Sequence, residues 1–228
     1  MRCWLTIALL TGCGGGRGAP DAVASGLATE LLEAPGDQAE GRFDAHNAIN
    51  GVRGGGWEQG STDTFSLGYT DDNDYVVLGW GGGRVLDGEG FDLVVFENPF
   101  DVAGGGRFMD PTVVEVSPDG ERWVALPHGY DGGSVDDPAS WWGMAGLQPV
   151  LVHDEDNPLD YADPDAGGDR IDLADLDPDD PIAADVLAEG ALAVRLSSAH
   201  RWTDPATSEP FPKEGISDGA DIDGVAAR

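Results

Sequence analysis

The 228-residue chain has two cysteines, Cys3 and Cys13, and none afterwards. No disulfide can form within residues 14–228, so packing, hydrogen bonds or a metal ion must hold the loops there. Lysine is almost missing too. One lysine and 11 arginines stand against 43 acidic residues, for a formal charge of −31. A surface of that sign repels phosphate, which excludes nucleic acid and anionic lipid headgroups as partners. No apolar run reaches the ~20 residues that a membrane-spanning helix needs. There is no His-Glu-x-x-His and no phosphate-binding Gly-x-x-x-x-Gly-Lys. The four histidines, His46, His128, His153 and His200, contain no pair at zinc-ligand spacing.

What is present begins with an export signal. Arg2 precedes an apolar stretch, Trp4–Leu10, and Leu10-Thr11-Gly12-Cys13 follows. Positive start, apolar core and small residues before a cysteine predict a signal peptide over residues 1–12. The tetrapeptide resembles a bacterial lipobox, so Cys13 is expected to carry lipid. Several acyl chains hold a protein on a membrane far better than one. Residues 13–42 then read as a flexible tether, in which only Ala28–Ala34 (ATELLEA) hints at a helical turn. The expected location is the outer membrane or cell surface, with the membrane a partner through the anchor.

From residue 43 to 228 the texture is short apolar runs between Gly, Asp, Asn and Pro, enough chain for one β-sandwich domain. Strands are predicted at 75–80, 91–96, 112–116, 123–126, 192–196 and 221–225, with a shorter one at 150–152. In 192–196, alternation of Leu192, Val194 and Leu196 with Ala193 and Arg195 predicts one wet face. Ser117-Pro118-Asp119-Gly120 reads as a hairpin turn. Helical signal is confined to 171–176 and 182–188. Many short strands with Gly-rich connections predict an all-β sandwich or jelly roll.

Asp outnumbers Glu 31 to 12. An acidic surface also serves solubility, so the count alone does not establish a metal. Calcium takes roughly 6–8 oxygen ligands from loop carboxylates, amides and carbonyls. The candidate clusters are Asp71–Asp74, Glu97 with Asn98, Asp169 with Asp172, and Asp218 with Asp221 and Asp223. If 221–225 is one strand, Asp221 and Asp223 share a face ~7 Å apart. They would repel each other unless a cation lay between them. Trp141, Trp142 and Trp202 are candidate platforms on which a sugar ring could stack, although adjacent residues of a strand point oppositely.

The ordered motifs Asn47–Gly56, Phe65–Gly68, Val77–Gly81, Phe91–Phe100, Val114–Gly120, Gly167–Leu173 and Gly219–Val225 resemble a family of bacterial cell-surface lipoproteins first named from Leptospira. More distantly they resemble secreted cell-surface proteins ending in a PEP-CTERM sorting segment. The resemblance covers roughly residues 43–227. It implies a jelly-roll, galactose-binding-like domain with no established activity, so no catalytic residue carries over. The family's acidic motif positions fall on Glu97, Asn98, Asp169, Asp172, Asp221 and Asp223, which become the calcium candidates. The function expected is a non-enzymatic surface module binding a glycan or surface polymer. The alternatives are a structural module with a protein partner and a carboxylate-dependent glycan-active enzyme.

Overall fold

The structure, a computed structural model, describes residues 22–61, 63–68, 74–213 and 219–228. Cys13, the signal segment, Asp71, Asp72, Asn73 and Asp218 lie outside the described residues. The strands are β1 (Gly26–Leu27), β2 (Glu30–Glu33), β3 (Phe65–Ser66), β4 (Tyr75–Gly79), β5 (Leu93–Phe96), β6 (Phe100–Asp101), β7 (Arg107–Phe108) and β8 (Thr112–Ser117). They continue as β9 (Val124–Ala125), β10 (Gly129–Tyr130), β11 (Trp141–Trp142), β12 (Asp169–Ile171), β13 (Ala193–Ser198), β14 (Asp221–Ile222) and β15 (Gly224–Ala227).

Two antiparallel sheets dominate, one of four strands in the order β1-β15-β5-β12 and one of five in the order β2-β4-β13-β8-β9. Their inner faces share one core. Leu93, Val95, Ile171 and Val225 from the first meet Val76, Leu78, Val114, Val116, Val194 and Leu196 from the second. The chain is therefore all-β in a sandwich-like arrangement. β5 sits inside its sheet with all four residues buried, as its uninterrupted apolar run demands. On β13, Val194 and Leu196 point inward while Arg195 is half-buried on the other face.

Three expectations are corrected. Residues 26–33 are not tether: β1 pairs with β15 and β2 with β4, so the folded domain begins well before residue 43. Residues 171–176 are not a helix but the end of β12 followed by a single 3-10 turn, Leu173–Asp175. Val150–Val152 is not a strand of either sheet: Val150 forms an isolated bridge to Gly167, and the carbonyls of Val150 and Val152 accept the N–H groups of Gly56 and Gly54. The expected helix at 182–188 is found as α1 (Pro181–Glu189), and the turn at 117–120 joins the antiparallel pair β8 and β9.

The chemistry that starts α1 is local. Asp180 Oδ1 accepts the N–H groups of Ile182 and Ala183 at 2.7 and 3.2 Å, and Pro181 fills a position that needs no donor. Asp180→Ala should lower the unfolding free energy by about 1 kcal/mol in urea titration, without changing the fold.

Candidate metal centre

β5 ends in an apolar run, and the next residue, Glu97, is carried inside with it. Its side chain is 2% exposed. Oε1 accepts the N–H of Asp221 at 2.8 Å. Oε2 is shielded from solvent and has no hydrogen-bond partner. Burial pushes this carboxyl well above the usual range, and the charges of Asp110 and then Asp221 push it further. Asp110 is itself buried, on the segment between β7 and β8. Asp221, on β14, is half-buried and accepts the hydroxyl of Ser66. Three carboxylates from separated parts of the chain thus raise one another's proton affinity, although their oxygens do not all lie within 4.8 Å of one another, and Glu97 Oε2 among them lacks a hydrogen-bond partner.

Gly146 closes this group. It has φ +78°, and a Cβ there would lie 2.4 Å from the Asp110 carbonyl oxygen and 3.2 Å from Glu97 Oε2. Only glycine fits so close an approach in that conformation. Asp169 holds the loop in place: its Oδ2 accepts the N–H groups of Leu147 and Gln148 at 2.9 and 3.2 Å. Burial pushes the Asp169 carboxyl up to about 7, against the lowering effect of those backbone donors and of Arg107. Asp110 also borders a small cleft with His200 and Lys213.

The six expected ligands do not form one cluster. Glu97 and Asp221 meet. Asn98 instead uses its Oδ1 to accept the N–H of Ser61, tying down the neighbouring loop. Asp172 accepts the N–H of Ala174 and starts the 3-10 turn after β12. It lies in a group with Asp87 and Asp92 whose oxygens fall within 4.8 Å of one another. Both Asp92 oxygens there accept backbone N–H groups, those of Gly88 and Leu173, at 2.8 and 2.9 Å.

Asp223 parts from Asp221 because the strand breaks between them: β14 pairs with β3, and β15 with β5 and β1. Asp223 is fully buried, and its Oδ2 accepts the N–H of Arg53 at 2.9 Å, while Oδ1 is buried without a partner. Burial pushes it up to about 7, with Asp63 and Asp154 adding to the rise and Arg53 opposing it.

The tryptophans separate as well. Trp141 is core, packed with Tyr130 and Phe211, so its ring cannot serve as a platform. Trp142 is 54% exposed, and its ring covers Gly129, where a Cβ would come within 2.5 Å of it. Trp202 is half-buried, edge-on to His128, with its indole N–H on Ser197 Oγ at 2.9 Å.

Sequence reasoning missed Asp110, which no local signal separates from the other aspartates. It also took the Gly-x-Ser-x-Gly pattern to be absent, although Gly215-Ile216-Ser217-Asp218-Gly219 matches it. A nucleophile elbow needs a helix after the turn. Here strand β14 follows at Asp221, and residues 214–218 lie outside the described residues. Among the described residues no helix is long and apolar enough to cross a membrane. No protein-family model, no curated protein and no solved structure matches the chain, so the site stands on its own chemistry.

Proposed function

We propose that this protein is a non-enzymatic binding module displayed on the cell surface: a jelly-roll, galactose-binding-like sandwich braced by calcium and held to the membrane by lipid on Cys13. The observation that carries the calcium reading is Glu97 Oε2, a carboxylate oxygen buried without a partner while Asp110 and Asp221 crowd the same carboxyl. Burying a charge without compensation costs several kcal/mol, and a divalent cation supplies the compensation. The donors at hand are all oxygen, which suits calcium rather than zinc or copper. Glu97, Asp110 and Asp221 would hold the ion. It would staple the end of β5 to β14 and to the segment before β8, the work that disulfides do in other exported domains.

Thermal unfolding of the full chain in EDTA, calcium, magnesium and matched sodium chloride tests this. A hundredfold excess of calcium over its Kd should raise the unfolding free energy by about 2.7 kcal/mol. Glu97→Gln keeps the Oε1 acceptor for Asp221 N–H and removes the charge. It should fold in EDTA and lose the calcium response. A rise reproduced by sodium chloride would mean screening of a polyanion, and the calcium site would be discarded.

A further inference from the structure

The outer face of the five-stranded sheet is covered at one end by a second apolar layer. Val113 of β8 points away from the main core and packs there with Trp141, Ala199 and Phe211, and Trp202 lies against the same layer. Ser197 stands opposite Val113 and Tyr75, and Arg195, two positions earlier on β13, stands opposite Glu115 and Val77, so these side chains share the outer face. Beside Trp202 the face opens into a cavity of about 330 Å³ lined by Tyr75, Glu115, Arg195, Ser197, Arg201 and Trp202. That is the small end of the range for small-molecule sites, room for one ring rather than an extended chain.

The charges around this cup are matched within the protein. Arg195 donates from Nε and Nη2 to both oxygens of Glu115, and its guanidinium lies between two rings, 4.6 Å from the Trp123 centroid and 5.7 Å from that of Tyr75. Arg201 donates from Nη1 to the Asp74 carbonyl at 2.7 Å. The Tyr75 hydroxyl donates to Glu33 at 2.7 Å. Two arginines thus stand with two glutamates, and a charged ligand of either sign meets no excess of the opposite charge to offset its desolvation.

The cup does hold directional polar groups beside an aromatic wall. Two of the five N–H groups of the Arg195 guanidinium go to Glu115, and the others stay available. Ser197 Oγ accepts the Trp202 indole N–H at 2.9 Å and keeps its own proton to donate. That bond, with an edge contact to His128 at 5.4 Å between centroids, fixes the Trp202 ring. A purely apolar ligand would leave the guanidinium and the hydroxyl without partners after excluding their water. A sugar ring answers both demands: its hydroxyls donate and accept, and its C–H face is apolar enough to lie against an aromatic ring.

We infer that this cup is a subsite for one neutral pyranose, with Arg195, Glu115 and Ser197 reading its hydroxyls and Trp202 bearing on its C–H face. The inference rests on the binding-module reading, whose ligand it narrows to a saccharide uncharged at this position, and is independent of the cation at Glu97.

Titration calorimetry of the full chain with D-glucose and D-galactose, in EDTA and in calcium, tests it. The tighter of the two is then compared, at physiological ionic strength, with its uronate and its 2-amino sugar, which keep the ring and change the charge. The neutral hexose should bind at least fivefold more tightly than either charged form, with or without calcium. Trp202→Leu should weaken it about tenfold. Arg195→Lys keeps a cation beside Glu115, loses the planar fork, and should weaken it about tenfold as well. The charge series uses the unaltered chain, so it decides the matter even where a variant fails to fold. Tighter binding of the uronate or the amino sugar would overturn the inference, and so would binding of neither hexose. A glycan array separates the cup from the module. Array binding that survives Trp202→Leu and Arg195→Lys would overturn the cup and leave the binding module standing, and an array without any bound glycan would remove both.

Discussion

Stripped of divalent cations, the protein unfolds at a higher denaturant concentration at pH 5 than at pH 8. Asp169 and Asp223 set this direction. Burial pushes both carboxyls up to about 7, whereas in the unfolded chain they ionise near the ordinary ~3.9. Between those values the folded state holds protons that the unfolded state has lost, so stability falls as pH rises toward 7. This is opposite to the usual carboxylate, whose native pKa is depressed and whose contribution is lost in acid. From pH 5 to pH 8 each group accounts for about 3 kcal/mol. Glu97, raised by the same burial, acts in the same direction. Urea titrations in EDTA across this range measure the slope, and Asp169→Asn should flatten it while keeping an acceptor for the loop 147–148. Stability that climbs from pH 5 to pH 8 in EDTA would show that these carboxyls have found compensation within the protein itself. Calcium should oppose the trend, because its ligands bind the ion as carboxylates and protons compete for them.

The parts of the fold legible in sequence were those where the hydrophobic pattern was decisive. Residues 93–96 could only be a covered strand, and the alternation through Arg195 gave the wet face of β13. The segment 28–34 misled because Ala, Glu and Leu are strong helix formers. Pairing of Glu30 with Gly79 and of Leu31 with Leu78 along the edge of β4 overrides that preference. Residues 171–176 misled for a related reason. Their apolar positions serve two short elements in succession, Ile171 closing β12 and Leu173 opening a turn capped by Asp172.

The site was half legible. Glu97 is conspicuous as the first polar residue after an apolar run, and Asp221 as an acid in a short strand. Their partners were not, because the contacts that define the site join distant parts of the chain. Asp221 reaches back 124 positions to Glu97, and Asp223 reaches 170 positions to Arg53. Alternation along 221–225 assumed one unbroken strand. The break at Asp223 sends its carboxyl toward Arg53 and leaves Asp221 with Glu97. In a chain with 31 aspartates, local spacing cannot select the few that the fold buries.

Gly146→Ala should be the most damaging small substitution near the metal centre. Two costs combine. A non-glycine residue at φ +78° costs roughly 1–2 kcal/mol. A Cβ 2.4 Å from the Asp110 carbonyl oxygen also forces backbone apart, an overpacking cost of about 1–3 kcal/mol. The expected loss is therefore about 2–5 kcal/mol in urea. Gly132 supplies the control: it has a comparable φ, +85°, but nothing within 4 Å of its Cβ position. Gly132→Ala should thus cost only the conformational part. The difference between the two variants isolates the packing of the Gly146 loop against Asp110 and Glu97. If that packing shapes the cation site, Gly146→Ala should also blunt the calcium-induced rise in stability, and Gly132→Ala should leave the rise intact. Equal losses in the two variants would mean that the Gly146 loop yields freely, and that the close approach to Asp110 and Glu97 does not define the centre.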